Sequence, residues 1–130
     1  YEAGGRQVEL DNTYKLIDEI PLSKQHIIRA DSARPESISF VKRQGYKMES
    51  VHKWSGSVED GIEFIRSFRM VYIHTRCLNT AEEFVKYSYK VDRLTNIVDA
   101  HNHYIDALRY ALQPMIKRKG QPKLARVIGA

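Results

Sequence analysis

The stretch HIIRADSARPES, residues 26–37, joins a short apolar run to a charged loop that contains a proline. Residues 26–30 read as a strand, because β-branched side chains favour extended backbone. Asp31 follows at the tip of this strand, and a helix is predicted over 32–44, with Pro35 near its start. A carboxylate at this position is either the N-cap of the helix or a functional group at the end of a strand, where α/β sheets bind their ligands.

The elements on either side of this stretch alternate between helix and strand. Hydrophobic spacing and turn residues predict helices over 11–20, 32–44, 57–68, 80–89 and 99–112, strands over 26–30, 46–51 and 69–74, and a hairpin over 89–98. Ser57 and Asp60 resemble a capping box at the start of the third helix. The alternation indicates an α/β fold with a largely parallel sheet.

Composition limits the classes of protein to consider. The 130 residues are 42% hydrophobic and 28% charged, which is typical of a single globular domain with a modest core. No apolar run approaches the roughly 18–20 residues that a membrane span needs, so no membrane partner is predicted. A single cysteine, Cys77, excludes an internal disulfide and fits a reducing compartment. Because Tyr1 opens the chain and YEAGG reads like the end of a strand, we interpret the sequence as a piece of a longer protein.

The net positive charge lies in residues 114–130, a basic tail that follows a domain over 1–113. The tail holds five of the 21 basic residues and no acidic one, so the domain balances 16 basic residues against 16 acidic ones. The basic residues of the tail are Lys117, Arg118, Lys119, Lys123 and Arg126. Such a tail either contacts DNA through its phosphates or is a solvated chain end.

A second candidate position lies on the last predicted helix. Its apolar stripe includes Ile105, and His103 and Asp106 lie together along the border of that stripe, with Asp99 one turn earlier. Two carboxylates that converge at the mouth of a sheet, such as Asp31 and Asp106, favour a hard divalent cation. Cations of this kind support phosphodiester cleavage. The alternative is a solvated polar face with a satisfied histidine.

Other kinds of site find little support. His101 and His103 point about 200° apart on a helix, so they cannot share a zinc ion, and one cysteine leaves no structural zinc pattern. No nucleotide-binding loop is present. A nucleophilic pair of Cys77 and His74 lacks an orienting third group. The loop HKWSG, residues 52–56, suits a contact with phosphate, unless its tryptophan covers the edge of the core.

Four motifs carry a resemblance to a known family. They are RADSARPESISFVKRQGY, GSVEDGIEFIRSF, YSYKVDRLTN and NHYIDALRYAL, in this order. Over roughly residues 1–113 the chain resembles the C-terminal nuclease domain of the large terminase subunit of tailed bacteriophages. The resemblance implies a ribonuclease H-like fold, with a mixed sheet flanked by helices, and an endonuclease that cuts concatemeric double-stranded DNA during genome packaging. It also implies the portal protein and the small terminase subunit as partners, in the host cytoplasm.

The same resemblance implies which residues form the site. In the family, a cluster of aspartates holds two divalent metals, Mg²⁺ or Mn²⁺. The matching positions here are Asp31, in ADSARPE, and Asp106, in HYIDALRYA. His103 matches a histidine that lies beside the metal site, and Asp99 is a candidate outer ligand.

The resemblance also implies contacts with DNA. Lys53 and Arg34 are expected to hold phosphates, and residues 88–98 resemble a β-hairpin that lies next to the active site in the family.

One departure from the family concerns the start of the domain. The family's first metal-binding aspartate, in a D-W-G-like motif on an early strand, has no match in this chain, and neither does the ATPase domain. Two of three expected ligands remain, and strand 26–30 is expected to present an unpaired edge. We therefore expect a weak or inactive nuclease. The alternatives are a non-catalytic remnant that binds DNA or the portal, and another ribonuclease H-like enzyme such as a resolvase or transposase.

Overall fold

A computed structural model of the protein describes residues 1–91 and 102–116. In chain order the elements are α1 (Leu10–Asp18), β1 (Ile27–Ala30), α2 (Pro35–Arg43), β2 (Lys47–Ser50), α3 (Ser57–Arg66), α4 (Leu78–Val91) and α5 (His103–Leu112), followed by a 3₁₀ turn over Gln113–Met115. Helices around a small parallel sheet make this an α/β arrangement, as predicted. None of the described helices has the length and apolar character needed to cross a bilayer.

The two strands pair in parallel, with Ile27 opposite Lys47 and Ala30 opposite Ser50. Parallel strands need a crossover connection, which α2 provides. Both strands therefore end at the same edge of the sheet, and Asp31 is the first residue beyond it. Among the described residues the sheet contains only these two strands, so the other edge of β1 carries no described strand.

The core lies between the sheet and helices α1 and α2. Val41 of α2 is 2% exposed and packs with Tyr46 and Met48, which are also buried. The partly buried side chains around them are Tyr14, Ile17, Ile28, Ala30, Ile38 and Phe40. Helix α2 thus buries an apolar stripe against the sheet, and α1 packs beside α2 with partly buried side chains on the same cluster, which is how amphipathic helices are stabilised in a small domain.

The ends of α2 explain the conformation around Asp31. Pro35 is the first helical residue, and Gly45 follows the helix with φ +96°, the left-handed conformation that glycine tolerates. The N-cap position is Arg34, so the interpretation of Asp31 as the helix cap is wrong. Asp31 instead accepts a hydrogen bond from the amide of Ala33 at 2.8 Å, a local turn that Asp commonly forms.

The predicted strand over 69–74 is wrong. These residues form no regular element and are mostly exposed, with Tyr72 86% exposed. The propensity of Val71 and Ile73 for extended backbone stabilises a strand only when a neighbouring strand pairs with it. The described sheet is limited to β1 and β2, and neither pairs with this segment.

The predicted capping box at the start of α3 is also wrong. Gly56, with φ +83°, occupies the N-cap position, and Ser57 is already helical without a side-chain capping bond. Asp60 is buried and accepts a hydrogen bond from the indole N–H of Trp54 at 2.8 Å. The carboxylate therefore fixes the preceding loop instead of capping the helix.

The last two helices differ in their bounds from the prediction. Helix α4 continues to Val91, so residues 89–91 are helical and not the first strand of a hairpin. The remainder of the predicted hairpin, 92–98, lies outside the described residues. Helix α5 begins at His103, with Asn102 as its N-cap, later than the predicted start at 99.

The N-terminal segment is fastened to the beginning of α4. The Glu2 carboxylate accepts hydrogen bonds from the backbone amides of Asn79 (3.0 Å) and Thr80 (2.8 Å), and from both of their side chains. Burial opposes the charge on Glu2, but the bonds from Thr80 and Asn79 outweigh it and lower the pKa of the carboxyl. A negative charge at this helix N-terminus also complements the helix dipole.

Tyr46 links the core to α1. Its hydroxyl lies 3.1 Å from the carbonyl oxygen of Tyr14 and is hydrogen-bonded to the carboxylate of Asp18. Burial, together with the negative charge of Asp18, raises the pKa of Tyr46 to about 12. The protonated phenol therefore contributes stability that is fully present below its unfolded pKa of about 10 and is lost as the pH rises towards 12.

Replacing Tyr46 by Phe tests this contact. The substitution Tyr46→Phe should lower the free energy of unfolding at pH 7 by about 1 kcal/mol, the typical net value of a hydrogen bond. It should also make the loss of stability between pH 10 and pH 12 shallower, because the shifted phenol is removed. Urea unfolding followed by circular dichroism measures both effects. The control Tyr72→Phe, at an exposed tyrosine, should change neither, and equal behaviour of the two variants would contradict the assignment.

Candidate functional site

A cleft of about 410 Å³ lies where the ends of β1 and β2 face α5 and the first turn of α3. Its charged lining residues are Asp31, Lys53, Glu59, Asp106 and Arg109. Helix α5 contacts β1, α3 and α4, so one helix forms a wall of the cleft and packs against most of its surroundings. Side chains distant in the sequence therefore meet at the carboxyl end of the sheet, where α/β proteins bind ligands.

Asp31 is held by three residues from three parts of the chain. The ammonium nitrogen of Lys53 lies 3.0 Å from each carboxylate oxygen. The amide of Ala33 donates to Oδ1 at 2.8 Å, and the hydroxyl of Tyr110 on α5 donates to Oδ2 at 3.2 Å. The carboxylate is about half exposed, so it is both fixed in position and open to the cleft.

These contacts set the charges of the group. The hydrogen bond from Lys53 is the main cause that lowers the pKa of Asp31, and the same bond raises the pKa of Lys53. Burial raises the pKa of Tyr110, and the nearby charge of Asp31 adds to the effect. At neutral pH the site therefore contains an ionised carboxylate, an ammonium and a protonated phenol.

Asp106 is paired with Arg109, three residues later on α5. The guanidinium donates from Nη2 at 2.6 Å and from Nε at 3.2 Å, and both bonds reach Oδ1 of Asp106. Arg109 is only 6% exposed and lies 3.5 Å from the carbonyl oxygen of Ser57. Gly61 of α3 leaves room for its stem, since a Cβ there would stand 2.7 Å from Cδ of Arg109. The buried arginine thus joins α3 to α5 and orients Asp106.

Glu83 of α4 fixes the beginning of α5. Its buried carboxylate accepts the backbone N–H groups of Tyr104 (2.8 Å) and Ile105 (3.0 Å). The first N–H groups of a helix have no partner within the helix, and the dipole favours a negative charge there. The positions of Asp106, in this first turn, and of Tyr110, about one turn later, therefore depend on a contact with α4.

Gln113 holds the loop that carries Lys53. Its side-chain oxygen accepts the backbone N–H of His52 at 2.9 Å, and its amide nitrogen donates to the carbonyl of His52 at 2.6 Å. On the other side of Lys53, the bond between Trp54 and Asp60 fixes the same loop to α3. Both neighbours of Lys53 are thus anchored.

The structure brings together three of the residues predicted from the sequence. Asp31, Lys53 and Asp106 all line the cleft. Two others lie elsewhere: His103 is exposed in the first turn of α5, and Arg34 is exposed just before α2, and neither lines the cleft. The remaining predicted residues, Asp99, Lys117, Arg118 and Lys119, lie outside the described residues.

Sequence reasoning missed four residues that organise the site. Arg109 and Tyr110 stand three and four positions after Asp106, a spacing that places side chains on one side of a helix and could have identified them. Gln113 and Glu83 carry no such signal, because each acts on backbone groups that are close only in the folded chain.

The cleft contains the type of ligand that a hard cation prefers, but the described residues supply too few of them for a complete site. Asp31 and Asp106 supply carboxylate oxygens, which Mg²⁺ and Mn²⁺ prefer. Within residues 1–91 and 102–116, however, no group of three or more His, Cys, Asp and Glu side chains could hold a metal ion. The described residues therefore fit part of a divalent-cation site.

The family model and the two relatives that match this chain all belong to the terminases. Residues 6–114 match the family described as "Terminase RNAseH like domain". The chain is 31% identical over 121 residues to the terminase large subunit of Bacillus phage SPP1, covering 88% of this chain and 28% of that protein. It is 28% identical over 95 residues to the PBSX phage terminase large subunit of Bacillus subtilis (strain 168), covering 70% of this chain and 22% of that protein. The matched region is thus about a quarter of each relative, and no solved structure matches.

Replacing Glu83 tests its role at the start of α5. Glu83→Ala should lower the free energy of unfolding by about 1–3 kcal/mol, because two buried N–H groups lose their acceptor. The neighbouring Glu82→Ala removes an exposed ion pair with Lys86 and should change the free energy of unfolding by less than about 0.5 kcal/mol. Urea unfolding distinguishes the two, and equal values would show that Glu83 does not cap α5.

Replacing Gln113 tests the loop contact. In Gln113→Ala the backbone amide of His52 should exchange its hydrogen about fivefold faster, the change that corresponds to losing about 1 kcal/mol of hydrogen bonding. Hydrogen exchange measured by NMR gives this rate. Gln44→Ala, at an exposed glutamine after α2, is the matched control and should leave the rate unchanged. An unchanged rate in Gln113→Ala would contradict the contact.

Proposed function

The chain belongs to the family of terminase RNase H-like domains, and we propose that it acts as the nuclease domain, or part of it, of a phage DNA-packaging terminase large subunit. Its substrate would be concatemeric double-stranded DNA, cut during genome packaging. The observation that supports this most strongly is the cleft in which Asp31 and Asp106, from the two most specific motifs, lie together with Lys53.

We propose that the chemistry depends on Mg²⁺ or Mn²⁺. When bound, divalent cations activate water and neutralise the charge that develops on the scissile phosphate. Asp31 and Asp106 would hold the ions through carboxylate oxygens facing one cleft. Tyr110 keeps Asp31 in place, and Arg109 keeps Asp106 in place. The described lining also contains Glu59, but it forms no cluster of three metal-ligating side chains, so a complete two-metal site would need further ligands, for which Asp99 is a candidate.

Lys53 is the residue best placed to contact the DNA backbone. Its side chain is 50% exposed at the mouth of the cleft, on a loop fixed at both ends. A lysine of this kind contacts phosphate oxygens without regard to base sequence. The ring of His52 stacks near that of Trp54, with centroids 6.3 Å apart, and extends the wall that DNA would meet. Arg34 and the tail residues Lys117, Arg118 and Lys119 are proposed as further phosphate contacts, and His103 as a residue beside them.

The partners follow from the same proposal. Double-stranded DNA would be the substrate, and the portal protein and small terminase subunit would be the protein partners, in the cytoplasm of the host cell. The match extends over only about a quarter of each relative, so the proposal for this chain is limited to the cutting activity.

A second candidate function is a binding module without catalysis, which would dock on DNA or on the portal. The absence of a three-ligand cluster within residues 1–91 and 102–116 favours this alternative. It shares the phosphate contacts of the first proposal but requires no metal.

A plasmid-cleavage assay with Mn²⁺ or Mg²⁺ distinguishes the two functions. The chain should nick plasmid DNA slowly, and both Asp31→Asn and Asp106→Asn should lower the rate by roughly 100-fold, because each carboxylate is expected to bind metal and place the attacking water. Asp11→Asn, at an exposed aspartate of α1, is the matched control and should keep the full rate. Cleavage that survives both site substitutions would contradict the proposal, and retained DNA binding without cleavage would favour the binding module.

A further inference from the structure

We propose that Lys53 is the resting counter-cation of Asp31, and that a divalent cation must displace its ammonium group to bind this carboxylate. The inference rests on the proposed function, because it concerns how the same site exchanges one cation for another. It adds a role for Lys53 before DNA arrives, distinct from its contact with phosphate.

Hydrogen bonds from the chain account for the usual accepting capacity of the half-exposed Asp31 carboxylate. An ionised carboxylate offers about four lone-pair sites, two on each oxygen. Lys53 occupies one on each oxygen, Ala33 occupies the second on Oδ1, and Tyr110 occupies the second on Oδ2. A cation that coordinates Asp31 must therefore replace one of these donors.

Lys53 is the donor that leaves most readily. The amide of Ala33 belongs to the backbone two residues from Asp31, and the hydroxyl of Tyr110 is carried by α5. Lys53 reaches Asp31 through a flexible stem, and both partners of the ion pair are about half exposed to water. Exposed ion pairs of this kind contribute little to stability, so breaking this one costs little.

The base of Lys53 stays in place when its ammonium group leaves. Gln113 holds the backbone of His52, and the bond between Trp54 and Asp60 holds the loop on the other side. The released side chain therefore remains at the mouth of the cleft. Binding of a cation would then make Lys53 available to a phosphate, so that the site attracts DNA after the metal is bound.

The other carboxylate shows the contrasting arrangement. Arg109 is 6% exposed and packs against Gly61. Both of its hydrogen bonds to Asp106 reach the same carboxylate oxygen, Oδ1. Displacing Arg109 from Asp106 would leave the buried guanidinium without its charged partner, which is costly. The exchange is therefore specific to Asp31, whereas Arg109 stays with Asp106 in both states.

Titration with Mn²⁺ tests the exchange without any measurement of cleavage. Isothermal titration calorimetry, or the electron paramagnetic resonance signal of free Mn²⁺, should show about fivefold tighter binding in Lys53→Met, because the competing ammonium is gone. Lys42→Met is the matched control: it removes the same charge from the exposed end of α2 and should leave the affinity within about twofold of the unsubstituted chain. Far-UV circular dichroism verifies that both variants are folded.

NMR of the lysine side chains gives a second readout. Titration with Mg²⁺ should shift the side-chain signal of Lys53, which is identified by its loss in Lys53→Met. In Asp31→Asn the same signal should start near the shifted position and respond little to Mg²⁺, because the ion pair is already absent.

The outcomes separate this inference from the proposed function. Tighter Mn²⁺ binding in Lys53→Met, together with the Lys53 shift, supports the exchange. Equal affinity with and without Lys53, in a chain whose binding requires Asp31, overturns the exchange but leaves the proposed function intact. If neither the unsubstituted chain nor Lys53→Met binds Mn²⁺, the metal-dependent function fails as well.

Discussion

The hydrogen bonds between β1 and β2, in the parallel register that pairs Ala30 with Ser50, determine where the polar residues of this protein can meet. Because the two strands are parallel and end at one edge of the sheet, the loops that follow them begin side by side. Asp31 directly follows β1, and Lys53 lies three residues after the end of β2. A shift of one residue in either strand would send the alternate side chains to the other face of the sheet and separate this pair.

Helix α5 is positioned by polar contacts more than by a large core. Glu83 caps its beginning, Arg109 joins its middle to α3, and Gln113, just after its end, holds the loop of His52. The buried hydrophobic residue of the helix is Ile105. Polar contacts of this kind are directional and need their partners, so they specify one position of the helix more sharply than apolar packing does. The functional consequence is that Asp106 lines the same cleft as Asp31, and the position of its helix is fixed at several points.

Each of the two aspartates in the cleft has a basic partner within the chain. Asp31 is paired with a half-exposed lysine and Asp106 with a buried arginine, so neither carboxylate depends on a bound ion for compensation. This arrangement suits the proposed cation site, because two uncompensated carboxylates in one cleft would repel each other. The proposed exchange concerns Asp31 because the side chain of its partner Lys53 is 50% exposed, whereas that of Arg109 is 7% exposed.

The sequence predicted the α/β alternation and the bounds of α1, β1, α2, β2 and α3 to within a few residues, because hydrophobic spacing, Pro35 and Gly45 act locally. It also selected Asp31 from a strand end and Asp106 from a helix face, and with Lys53 from the loop after β2 these are residues that the structure brings to one cleft. The strand over 69–74 failed because its propensity needs a partner strand.

The sequence could not show the residues that act across long separations. Glu83 and Gln113 bind backbone groups 21 or more and 61 positions away, and no local pattern records such pairings. The predicted capping box at Ser57 is wrong for a related reason. The carboxylate of Asp60 accepts a hydrogen bond from the indole of Trp54 and does not cap the helix.

The most direct test of the central claim, that Asp31 and Asp106 serve one cation site, is the anomalous diffraction of crystals soaked in Mn²⁺. We expect a peak in the cleft within about 2–2.6 Å of carboxylate oxygens from both residues, with the ammonium of Lys53 withdrawn from Asp31. A cleft without a peak, in which Asp31 remains bound to Lys53 at saturating Mn²⁺, would contradict the account.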